Sequence, residues 1–375
     1  MKHKKIAVST ALLAALLALT LVLLTGCSQA VYATVSPAWQ TNTEYDEDFA
    51  ETLTYSLSYT SSYEANDTGW RVSIDQANSY YTVTVTAEQS YATEDGTRHW
   101  KVYHLHSELV ISATYAYYYS DGTQREIVSF GGDSGTEPDR IETDVWFHSL
   151  AAPTDLESQH SLEPIYSERT VLSHTPTSMT SDNVSWFSYT SAISYDAAGE
   201  NATLTFTDNW GELSEEDRTV SDYVYKYSIT SEPSELSGLR NSYSAFDNEQ
   251  LIFIARGLSY SASSSESIVV LSETAGAQTV AVACQDRADT SCSFLLSSTN
   301  ASTGTTTVTR LSGTDIYAAQ VSFSLTNAGY ASGAARTVYY AQESGYYNAP
   351  LRMEIPFTYS AGTITYTLTS LAHTE

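Results

Sequence analysis

The chain has 375 residues, with 44 Asp and Glu against 17 Lys and Arg and a formal net charge of −27. A surface this acidic repels a phosphate backbone and an anionic bilayer face, which argues against nucleic acid as a partner and for charge-assisted solubility. Aromatic residues are abundant, with 29 Tyr, 10 Phe and 6 Trp, whereas Cys occurs only three times.

Residues 1–26 open on Met-Lys-His-Lys-Lys, run apolar from Ile6 to Leu24, and stop at Leu24-Thr25-Gly26-Cys27. A basic start, an apolar middle and a small-residue cleavage site predict a secretory leader, which is set aside from fold reasoning. The stretch resembles a bacterial lipoprotein signal, whose lipobox places a small residue before an obligatory cysteine. That resemblance implies a diacylglyceryl thioether on Cys27, which becomes the mature N-terminus. The anchor is then a set of acyl chains, each buried methylene contributing about 0.8 kcal/mol. Residues 27–43 lack periodicity and read as the lipidated N-terminus and tether, leaving 44–375 as a single domain held outside the cytoplasm at the cell membrane.

From residue 44 onward, two-residue alternation dominates. In "TLTYSLSYT", Leu53, Tyr55, Leu57 and Tyr59 share one face, while Thr54, Ser56 and Ser58 share the other. The same period recurs in "YYTVTVT", "KVYHLHSEL", "IETDVWF", "ATLTFT", "YVYKYSI", "VSFSLT", "LRMEIPF" and "TITYTL". Such segments predict half-buried antiparallel strands, with turns at Asp95-Gly96, Asp121-Gly122 and Gly131-Gly132 between them. About a dozen strands follow from this pattern, enough for a large sheet that must curl or close. "SAFDNEQLIFIARGL" breaks the alternation: Leu251, Ile254, Ala255 and Leu258 recur at helical spacing, with Asp247 at the start and Gly257 at the stop. A helix near 246–257 is expected, buried on more than one side. Farther on, Cys284 and Cys292 flank "QDRADTS". In an exported chain whose third cysteine is lipidated, they form an even pair, and a hairpin-closing disulfide is the economical reading.

Chemistry-bearing motifs are few. His104 and His106 stand two apart on one face of a predicted strand, with Glu108 next on that face, so they are weak candidates for a metal pair. His99 and His148 are the other nitrogen donors at hand, but only tertiary contact would bring them in. Alternation puts Tyr103, Leu105, Leu109 and Ile111 on the apolar side, which leaves the two histidines facing solvent. "FGGDSGT", Phe130 to Thr136, resembles the nucleophile segment of chymotrypsin-like proteases at Ser134; no Ala-Ala-His signature precedes it, and a glycine-rich hairpin turn explains the same letters. No catalytic residue is nominated and no cofactor is implied.

Four stretches in order, "FAETLTYSLSY", "DRIETDVWFHSLAAP" with "LEPIYSERTV", "FDNEQLIFIARGLSYS", and "RTVYYAQESGYYNAPLRMEIPFTYSAGTITYTL", resemble an uncharacterised exported family related to LolA/LppX-like half-barrels. That resemblance implies an all-β chain: a large curled antiparallel sheet, an incomplete barrel, with the one helix packed on its concave face. It also implies a non-enzymatic, lipid-anchored envelope protein that binds a lipid or other apolar ligand there, with Leu251, Phe253, Ile254, Tyr103 and Leu105 as the contact residues. Two alternatives stand beside it: a structural or adhesive surface protein that holds glycan or protein through exposed tyrosines, and a metal-dependent enzyme built on His104 and His106.

Overall fold

The computed structural model describes residues 45–61, 67–149, 162–176, 184–195, 201–208, 234–237, 245–261, 264–272, 276–325, 335–357 and 362–374. All of them fall in one compact unit, Ala33–Glu375. The leader, Cys27, the tether and the expected strand "YVYKYSI" lie outside the described residues.

The first half of the chain builds β1 (Ala50–Ser61), β2 (Gly69–Ile74), β3 (Tyr80–Ala92), β4 (Arg98–Ile111), β5 (Ala113–Tyr118), β6 (Gln124–Phe130), β7 (Asp139–His148), β8 (Pro164–Pro176), β9 (Val184–Tyr195) and β10 (Asn201–Asp208). The second half adds β11 (Ser234–Ser237), β12 (Ala245–Asp247), the helical segment described below, β13 (Ser265–Ser272), β14 (Gly276–Cys292), β15 (Leu295–Asn300), β16 (Thr305–Arg310), β17 (Thr314–Leu325), β18 (Arg336–Ala341), β19 (Pro350–Phe357) and β20 (Gly362–Thr374). The ladders run β12-β13-β14-β17-β18-β19-β20-β1-β3-β4-β7-β8-β9-β10-β11. Strand β15 joins the far end of β20, and β16 joins β15, making a 17-stranded sheet. Most pairs are antiparallel, as the alternation predicts, but β12–β13 and β15–β20 are parallel, so the sheet is mixed. The strand count exceeds a dozen because short strands such as β12, and Thr/Ser runs such as β16, carry no apolar alternation to reveal them.

Among the described residues, this sheet curls without closing by hydrogen-bonded ladders. Its two ends meet through side chains: Ile193, Tyr195 and Ala202 of β9 and β10 pack on Ala245 of β12 and Leu271 of β13. Across the same seam, Ser167 Oγ and Tyr195 Oη donate to Asp247 Oδ2 at 2.5 and 2.8 Å. The inward faces form the core. Leu53, Tyr55 and Leu57 of β1 are each 1 % exposed, and Tyr103, Leu105, Val145 and Phe147 join them. Each such side chain contributes about 1.5–3 kcal/mol by leaving water.

A separate three-stranded sheet, β5 between β2 and β6, buries Trp70 against Tyr115 and Tyr117. It docks on the large sheet where the Phe130 ring stacks on His174 of β8 at 4.4 Å and Tyr115 Oη donates to the His174 carbonyl.

The segment expected as a helix over 246–257 starts as strand β12 and then coils as a 3-10 turn (Asn248–Gln250), α1 (Leu251–Ile254) and a second 3-10 turn (Ala255–Gly257). Asp247 is its N-cap, accepting from the Glu249 N–H at 2.9 Å. Leu251, Phe253, Ile254 and Ala255 are all buried in the main core. Four residues of α-helix are too few to stand alone, so packing inside the curled sheet holds the coil.

The cysteine pairing expected from sequence is overturned. Cys284 and Cys292 are free thiols on one strand, β14, facing Val321 and Thr314 of β17. Eight residues of strand separate their Cα atoms by roughly 25 Å, whereas a disulfide needs about 7 Å or less. "QDRADTS" is no turn: it continues the ladder past a bulge at Gln285.

Candidate functional site

Alternation aims one face of each strand into the concavity, and beside the helical segment that space is not filled. A cavity of about 210 Å³ remains between the sheet and the segment Asn248–Phe253. Its wall is mainly apolar, from Leu53, Val83, Leu105, Ile141, Met353 and Ile355, with Tyr55, Tyr81 and Tyr366 on the same side. From the segment come Asn248, Glu249, Ile252 and Phe253. Two further wall residues break the apolar pattern, Arg169 of β8 and Arg336 of β18. The Arg169 Nε lies 4.0 Å from Glu249 Oε2. Burial pushes the Tyr81 and Tyr366 hydroxyls up, to about 12 for Tyr81, so both are neutral donors at physiological pH.

Of the residues expected to touch a ligand, Leu105 and Phe253 line this cavity. Tyr103, Leu251 and Ile254 do not: they fill the core beside it, where Tyr103 packs against the Tyr45, Phe49 and Phe147 rings. Tyr55, Tyr81, Arg169 and Arg336 were not foreseen. Their signal is weak in sequence, although an Arg at an inward position of an alternating strand is out of pattern and marks both arginines.

The roof over the cavity is bolted down. Arg256, completely buried, makes a two-pronged ion pair with Glu51 of β1 and donates from Nη2 to the Tyr347 carbonyl at 2.5 Å. His373 of β20 shares the second Glu51 oxygen at 3.2 Å, and its ring stacks on Tyr347 at 3.7 Å. Burial works to raise the Glu51 carboxyl, but Arg256 and His373 outweigh it and hold the group below its ordinary value. The Tyr340 hydroxyl donates to the Ile252 carbonyl, Gln250 Nε2 to the Leu162 carbonyl, and Asn348 Nδ2 to the Arg256 carbonyl. With a buried ion pair and this many ties, the coil is a fixed roof.

On the convex side, the histidine pair sits in a polar and aromatic patch. His104 Nε2 and His106 Nδ1 lie 2.7 and 2.8 Å from the same Asp144 oxygen, and His104 Nδ1 is 3.2 Å from Glu88. Partial burial would raise the Asp144 carboxyl, but the bonds and charge of His104 and His106 outweigh it and lower it. Glu108, on the same face, is held by Arg140 and Tyr80 instead. Among the described residues, no three His, Cys, Asp or Glu side chains are set to share a metal ion. The His99 and His148 rings meet edge to face at 5.3 Å. The His104 ring stacks on Trp146 at 4.2 Å, Trp146 on Tyr91 at 4.6 Å, and Tyr91 on Tyr166 at 6.1 Å, forming a row of rings across four strands. Ser134 ends a 3-10 turn, Gly132–Ser134, and its hydroxyl bonds to the backbone of Thr136, two residues on.

No protein-family model matches the chain, and no curated protein matches it. Among solved structures, it is similar to a β-barrel-like protein of a domain of unknown function (DUF1849) from Brucella abortus, at 8 % identity and a TM-score of 0.37, over 88 % of this chain and 99 % of that one. At that level of similarity the comparison carries no functional inference.

Proposed function

We propose that the chain is a non-enzymatic, extracytoplasmic binding protein, tethered to the cell membrane through a lipidated Cys27, that holds a small apolar ligand in the concave face of its half-barrel. The supporting observation is the cavity of about 210 Å³ with a mainly apolar wall, left open beside the main buried core. Interiors rarely leave such space, because an empty cavity forfeits contacts and costs stability in proportion to its volume. At about 30 Å³ per water-sized group, the space takes roughly seven such groups. A single short chain or one ring fits, and a whole diacyl lipid does not.

Native mass spectrometry of the full chain purified from its host tests this. A copurifying apolar species of small mass is expected, lost on filling the cavity with Leu105→Trp. A chain that carries no such species and binds no short-chain probe would end the reading. Labelling with a radioactive fatty acid tests the anchor: incorporation into the wild type and none into Cys27→Ser is expected.

The ring row on the convex face favours a second reading, adhesion to glycan. Trp146 and Tyr91 present half-buried aromatic surface, with Glu88, Glu94 and Glu168 around them as hydrogen-bond acceptors for sugar hydroxyls. A glycan array probed with wild type and Trp146→Ala decides it: signal lost with Trp146 supports adhesion, and no signal with either chain removes it.

A further inference from the structure

We infer that the concave cavity is built for an amphipathic anion, a short straight-chain carboxylate whose head meets Arg169 and Arg336 and whose chain lies on the apolar wall. This deepens the binding-protein reading and rests on it. Acids outnumber bases 44 to 17 over the whole chain, yet among the residues that line the cavity the order is reversed: Arg169 and Arg336 face a single Glu249.

Neither arginine is there by the default of strand patterning. On β8, Ser167 and Val171 flank Arg169 on the buried face; on β18, Val338 and Tyr340 follow Arg336 on its buried face. Alternation calls for apolar side chains at both positions, so two inward-facing arginines are out of pattern. The Tyr81 hydroxyl, raised by burial, is pulled back by its bond with Ser107 and by the charges of Arg336 and Arg169, while Glu249 pushes it the other way. Tyr366, beside Tyr81 at 5.5 Å between rings, feels Arg336 as well. Two arginines and two neutral hydroxyls therefore share the lining of one mainly apolar cavity.

A carboxylate is the chemistry that matches this set. Guanidinium pairs bind carboxylate oxygens in a planar, two-pronged geometry, and phenol hydroxyls donate to the remaining lone pairs. A cationic ligand would meet net repulsion from two arginines against one glutamate. The apolar floor of Leu53, Val83, Leu105, Ile141, Met353 and Ile355 takes the chain, and the volume limits the whole ligand, head included, to about seven heavy atoms.

Isothermal titration of the full chain held in amphipol, with pentanoate, 1-pentanol and pentylammonium at neutral pH, tests the inference. Pentanoate is expected to bind about tenfold or more tightly than pentanol, and pentylammonium more weakly than either. Arg336→Gln should abolish most of the pentanoate preference, while a circular-dichroism melt that matches the wild type reports that the variant is folded. If that variant is unfolded, Arg169→Gln carries the same comparison. Pentanol equal to pentanoate in the wild type, or a preference that survives both substitutions, overturns the anionic ligand and leaves the apolar cavity standing. Failure of all three probes overturns the cavity reading together with it.

Discussion

Asp247 offers a quantitative test of how the curled sheet is held at its seam. It is fully buried, caps the helical coil through the Glu249 N–H, and accepts from Ser167 of β8 and Tyr195 of β9. Burial pushes its carboxyl from 3.8 up to about 6, the nearby Glu249 charge adding to the rise while the three hydrogen bonds restrain it. In the unfolded chain the group titrates near 3.9. Between about pH 4 and 6 the folded chain therefore keeps a proton that the unfolded chain has released, and this group's contribution to stability falls as pH rises. At about 1.4 kcal/mol per pKa unit, the loss amounts to about 3 kcal/mol and is complete by about pH 7. In Asp247→Asn the amide oxygen can still accept from the Glu249 N–H, and the amide nitrogen can donate to the two hydroxyls once they turn. Urea unfolding of both chains, followed by circular dichroism from pH 4 to 8, gives the difference in stability, in which titrating groups that do not interact with Asp247 cancel. That difference, variant minus wild type, is expected to rise by up to about 3 kcal/mol between pH 4 and 7 and then level off. A flat difference, or one that falls with pH, would refute the seam carboxylate as a buried, raised acid.

Arg256→Met is expected to cost about 3–5 kcal/mol in urea unfolding, because it leaves Glu51 charged and buried beside His373; Glu51→Gln made in the same background should recover part of that loss. At Gly131, φ is +71° and an added Cβ would meet Ser112 and, at 3.0 Å, Pro138. Gly131→Ala should therefore destabilise by on the order of 1–3 kcal/mol, read as a lowered melting temperature. Thiol titration with Ellman's reagent in denaturant, without reductant, should return both Cys284 and Cys292 as free groups; a value near zero would restore the disulfide.

The strand faces were legible from alternation. Leu53, Tyr55 and Leu57 share a face in the sequence and are buried together, and His104, His106 and Glu108 share the opposite kind of face on β4. The coil after Asp247 was legible from its cap and the apolar run behind it, although its opening strand and its 3-10 turns were not. "QDRADTS" was misread because β14 runs beyond the core there: Gln285, Asp286, Ala288, Asp289 and Ser291 are exposed, so both faces of the strand are polar and imitate a loop.

What the amino-acid sequence determined by itself is local: a side chain on an alternating strand has its face assigned by a period of two, because successive Cβ atoms point to opposite sides of the pleat. What only the tertiary structure decided is which faces meet. Glu51, Arg256 and His373 carry no pattern linking them, nor do Arg169 and Arg336, because ion pairing and a shared cavity depend on how far the sheet curls and on strand order. The curl accumulates from the twist between many neighbouring strands, and no single window of residues contains it.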